Sequence, residues 1–179
     1  IRGLQLDFGV DEAHAHRVQR VAAELLQHMQ PATPSPLATK ALDIAAQLHE
    51  VGMRVALSNY HRHGAYITEH CSQATWEPEL RERICQLVLG HQGKLRKLDA
   101  VIDDPEVALP LMALRLAVQL CHTRRDPDMQ GITLKRTGTE FRLTTPIGWM
   151  LTYPQSARLL EEEAMAWSKS PWSLKLHLR

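Results

Sequence analysis

The chain has 179 residues, 44% of them apolar, enough for one sizeable core with a small second unit beside it. Its 21 basic and 20 acidic residues leave a formal charge of +1, which excludes a globally cationic protein that coats nucleic acid, so any anion site must be a local patch. Cys71, Cys85 and Cys121 are odd in number and follow no metal-ligand spacing, which argues against a disulfide framework and for a reducing cytoplasm. No apolar run approaches the roughly 18 residues of a membrane span, and the N-terminus lacks a signal pattern. The start at Ile1, without methionine, reads as a fragment whose upstream partner is missing.

From Asp11 to Met29, Ala15, Val18, Val21, Ala22, Leu25, Leu26 and Met29 recur at helical spacing, with Asp11 and Glu12 suited to the positive end of a helix. Prolines between Pro31 and Pro36 break that helix, and a second is predicted from about Leu37 to Val51, with Gly52 as its C-cap. A third is expected over His63 to Cys71, and a fourth over Glu77 to Gly90, entered through Pro78. Pro105 to Arg124, with Leu111, Leu114, Ala117, Val118 and Cys121 in one stripe, reads as a core helix.

After Pro127 the period changes. Ile132, Leu134, Phe141 and Leu143 alternate with polar residues about a Thr137-Gly138-Thr139 turn, which predicts a hairpin. Tyr153 to Trp167 returns to helical spacing, with Glu161, Glu162 and Glu163 expected on an exposed face, and Leu174, Leu176 and Leu178 suit a third strand. The expected fold is mainly α: a helical domain over residues 1–126, then a small α+β subdomain over 127–179 made of hairpin, helix and terminal strand. Trp76, Trp149, Trp167 and Trp172 read as packing anchors. Arg124 and Arg125 could pair with Asp126 and Asp128 or with an acidic partner surface.

Ten histidines invite a metal reading. The helical domain is HD-like: His14 resembles the first-helix histidine of an HD phosphohydrolase, and His49-Glu50 its His-Asp pair with Glu in place of Asp. The later helix that would supply the last aspartate has Val118 at the matching position, and a valine cannot ligate a metal. Such a site needs imidazoles and hard carboxylates converging on one cation, and two of four positions are altered here. The expectation is therefore no metal, with His49 a satisfied buried histidine. A second hypothesis keeps a metal-dependent HD-type phosphohydrolase built on His14, His49 and Glu50.

Five strings in order carry a wider resemblance: Phe8-Gly9-Val10-Asp11 through Arg17-Val18, Ala46-Gln47-Leu48-His49-Glu50-Val51-Gly52, His61-Arg62-His63-Gly64-Ala65-Tyr66-Ile67, Leu87-Val88-Leu89-Gly90-His91-Gln92-Gly93-Lys94, and Leu114-Arg115-Leu116-Ala117-Val118. Together they resemble the C-terminal region of the exopolyphosphatase/guanosine pentaphosphatase (Ppx/GppA) family over nearly the whole chain. That resemblance implies a two-part enzyme in which a magnesium-dependent, actin-like N-terminal domain removes terminal phosphate from inorganic polyphosphate. This chain has no Gly-rich phosphate loop after a strand, so no catalytic residue and no cofactor is expected in it. By the same resemblance it would guide polyphosphate, contact the catalytic domain and form a homodimer; guanosine pentaphosphate is the alternative substrate. Two basic loops fit the guiding role: His61, Arg62 and His63, and His91, Lys94, Arg96 and Lys97, where Gly90 and Gly93 allow close backbone approach. A pure dimerisation module, with solvated basic loops, is the third hypothesis.

Overall fold

A computed structural model describes residues 1–29, 35–72 and 74–178. The proline break expected from Pro31 to Pro36 falls largely outside the described residues. Helix α1 (Arg2–Asp7) leads into α2 (Glu12–His28), which Asp11 caps by accepting the His14 backbone N–H at 3.0 Å. Helix α3 (Pro36–Leu48) starts on Ser35, whose Oγ accepts the Ala38 N–H, with Pro36 in the first turn, where a missing donor costs nothing. It ends three residues short of the predicted limit, and a 3₁₀ turn, Val51–Arg54, follows.

Gly52 is no left-handed cap. It is buried in that turn, and a Cβ on it would collide with the Tyr60 carbonyl oxygen and the Gly64 amide nitrogen. The glycine is there because two backbones touch. Helix α4 (Tyr60–His70) opens after Asn59, which sits in the left-handed region at φ 55°, three residues before the expected start. His61, Arg62 and His63 therefore lie in a helical turn and not in a loop.

Helix α5 (Pro78–Gly90) matches its expected span, and a second 3₁₀ turn, Leu95–Leu98, carries Arg96 and Lys97. Helix α6 (Pro105–Leu120), capped by the Asp104 carboxylate, is buried from Val107 through Ala117. A helix apolar all round belongs at the centre, and α2, α3, α5 and α8 (Pro154–Trp167) all pack on it. It stops at Leu120, before Arg124.

Strands β1 (Thr133–Thr137) and β2 (Glu140–Thr145) form the predicted antiparallel hairpin, with Leu134 opposite Leu143. The short helix α7 (Trp149–Thr152) and α8 cross over to β3 (Ser173–Leu178), which pairs parallel to β2 in the order β1-β2-β3. Phe141 packs against Trp167 and Trp172, and the Trp172 Nε1–H donates to the Ile102 carbonyl at 2.7 Å, tying the sheet to the helical body. One core cluster runs from Leu4 through α6 to Leu174. The protein is mainly α with a small α+β end, as the periodicities predict, and no helix among the described residues is long and apolar enough to cross a membrane.

Candidate functional site

Four histidines from four helices, two within a first turn and two at a closing residue, form a row through the helical body. His14 comes from the first turn of α2, His49 from the end of α3, His91 from the end of α5 and His61 from the first turn of α4. Ring centroids are 5.7 Å apart for His14–His49, 5.4 Å for His49–His91 and 6.4 Å for His91–His61. All four are buried.

At the first end, His14, His49 and Glu50 converge, and their candidate ligand atoms lie within 4.8 Å of one another. The His49 Nδ1–H donates to the Ala46 carbonyl at 2.7 Å, which leaves Nε2 bare and 4.0 Å from a Glu50 oxygen. Burial pushes the His49 imidazole down to about 4, so it stays neutral. His14 is also depressed by burial, against the pull of Glu50. Arg124 closes this end: it donates to Glu50 at 2.6 Å and to Asp11 at 3.0 Å, from a backbone at φ 57°. The Asp11 carboxyl is held low, first by the His14 backbone N–H and also by Arg124, while burial opposes them. A cleft of about 490 Å³ lined by Phe8, Asp11, Met53, Arg54 and Arg124 opens onto Glu50.

The donor set can be tested against a divalent ion. Two imidazoles and one carboxylate are too few for a closed site, and the carboxylate already carries a guanidinium. Val118 packs half-buried against the core and adds no ligand. Neither partner foreseen for Arg124 from its neighbours in sequence is used. Asp126 instead meets Arg17 at 3.2 Å and Arg20 at 2.5 Å.

His91, in the middle, does not share a surface with the basic residues near it. It is 1% exposed; its Nδ1–H donates to the Val88 carbonyl at 2.6 Å, and Nε2 accepts from the Tyr60 hydroxyl at 3.2 Å. Burial holds it well below the ordinary histidine range and raises Tyr60.

At the other end the two predicted basic segments meet. Arg62, Lys94 and Arg96 are exposed, and His63 and Lys97 half-buried. Among the described residues none of Arg62, Lys94, Arg96 and Lys97 belongs to an ion pair, although seven other arginines do. Beneath them Arg115 donates to the Gly90 and Gly93 carbonyls and forms a two-pronged pair with Glu163 at 2.5 and 3.0 Å. Glu163 also accepts the Trp167 Nε1–H. The expectation of an exposed acidic face is corrected here: Glu161 and Glu162 are exposed, but Glu163 is 3% exposed and answers a buried cation. Its sequence signal was Arg115, a charge inside an apolar stripe.

The family model described as Ppx/GppA phosphatase, domain III, matches residues 1–164, which takes in the helical body, the hairpin and most of α8.

Proposed function

The chain belongs to the Ppx/GppA phosphatase family, matching its domain III, and from that premise we propose that it guides inorganic polyphosphate and supports dimerisation in an exopolyphosphatase-type hydrolase. In this reading hydrolysis and its magnesium belong to an actin-like N-terminal domain, and guanosine pentaphosphate is the alternative substrate. The observation that supports it is the approach of Arg62, at the start of α4, to Lys97 on the Leu95–Leu98 turn, beside the exposed Lys94 and Arg96, with no acid partner to any of the four among the described residues. A polyanion with about one charge per phosphate releases counterions on such a face, so its affinity falls steeply with salt.

Calorimetry with long-chain polyphosphate tests the proposal. Four phosphate contacts predict roughly 50-fold weaker binding when salt rises fourfold. An Arg62→Ala/Lys97→Ala variant should bind less tightly and respond less to salt. Salt-independent binding, or none, would move the reading to a dimerisation module. Manganese-dependent phosphomonoester hydrolysis abolished by His49→Ala would instead favour a metal phosphohydrolase on His14, His49 and Glu50.

A further inference from the structure

Gly93 lies beside side chains of both basic segments. At φ +77° it leaves open a space that a Cβ would enter, 3.4 Å from Lys97 Nζ and 3.7 Å from both Cε1 and Nε2 of His61. The lysine ammonium and the Cε1–Nε2 edge of the imidazole thus both lie beside the bare backbone of Gly93. Lys97 gives a hydrogen bond to the Gln92 carbonyl, which uses one of its three donors. His61 is 8% exposed, and its Nδ1 is buried without a hydrogen-bond partner among the described residues.

The groups around His61 share a sign. Arg62 and His63 come from its own helix, Lys97 from the 3₁₀ turn, and Arg115 from α6 with its charge answered by Glu163. His91, from the end of α5, is neutral and engaged with Val88 and Tyr60. We propose that the Gly93 turn, His61 and Lys97 form a seat for one phosphoryl group, and that filling the seat draws a proton from solvent onto His61. The proposal rests on the polyanion reading above and adds to it a defined position and a pH dependence.

Electrostatics supports the geometry. Burial first, then Lys97, Arg62, Arg115 and His63, press the His61 imidazole down to about 4, and burial with Arg115 and Arg62 brings Lys97 to about 8. A dianion between them reverses the repulsion, and both groups then favour their charged forms. Because the proton is bound only with the anion, affinity rises as pH falls toward 6.

Sulfate is the first probe, since it has the shape and charge of a terminal phosphoryl dianion and does not itself titrate in this range. Calorimetry near pH 8 and near pH 6 should show about tenfold tighter binding at the lower pH, with proton uptake read from two buffers of different ionisation heat. His61→Asn should bind with a flat pH profile, and Lys97→Met, a half-exposed change that leaves the core intact, should bind weakly at both values. Sulfate affinity that ignores pH, or a His61→Asn profile like the parent's, overturns the proton linkage. Absence of sulfate binding overturns the seat. Salt-dependent binding of long polyphosphate in either case would leave the guiding role standing.

Discussion

The two ends of the histidine row have similar parts and opposite charge balance. At the Glu50 end, Arg124 is met by Glu50 and Asp11, and the neutral imidazoles lie behind it. At the Gly93 end, Arg62 and Lys97 stand beside an imidazole, and the Glu163 carboxylate beneath them is committed to Arg115. A compensated cluster holds itself together and has little need of a ligand; an uncompensated one is poised to gain from an anion. The difference separates a structural joint from a candidate binding face, although both are rich in histidine and arginine.

The comparison breaks most visibly at Glu163. Glu163→Gln leaves a buried guanidinium unpaired and adds it to the uncompensated end, with an expected loss of about 3–5 kcal/mol by urea unfolding, whereas replacing Arg115 and Glu163 together by apolar residues should cost far less. Acid should act on the row itself. With His49 at about 4 in the folded protein and near 6.5 unfolded, the unfolded chain takes up the proton first, so stability is full above pH 6.5 and falls as pH drops toward 4. That loss is about 3 kcal/mol for His49 alone and should shrink in His49→Gln, read from denaturant midpoints against pH. Arg124→Ala strands the buried Glu50 and should cost about 2 kcal/mol, measurable by thermal unfolding. Smallest is Arg62→Ala, expected within about 0.5 kcal/mol of the parent; a loss as large as that of Arg124→Ala would mean that Arg62 has an acid partner in the folded protein.

Much of the fold could be read before the structure. The stripes of α2, α5 and α6 and the alternation in the hairpin are long, regular patterns with capping residues or prolines at their starts. Helix α1 escaped because six residues with Leu4 and Leu6 hold too little periodicity. The start of α4 lies three residues before the expected one because its cap is a left-handed Asn59 without a side-chain hydrogen bond, a conformation composition does not reveal. The site was legible in part. His14, His49 and Glu50 converge as their resemblance to HD positions implies, and His61, Arg62 and Lys97 come together as two separate segments. Pairings over long sequence separations could not be seen: Arg124 reaches back to Asp11, and Arg115 forward to Glu163. His91 reads as one more basic loop residue because one of its hydrogen-bond partners, Tyr60, is thirty-one positions away.

The contact at Gly52 has a consequence for how the two ends can change. Because the turn after Glu50 and the start of α4 meet backbone to backbone, their separation is set by main-chain atoms and not by any side chain that could be exchanged. A larger residue at Gly52 would force the whole of α4 outward, carrying His61 and Arg62 with it, whereas the exposed residues Val55, Leu57 and Ser58 can vary without moving either end. The spacing of the row is thus rigid while its charges remain adjustable: substitution can retune what each end attracts, but the ruler between them has no movable mark.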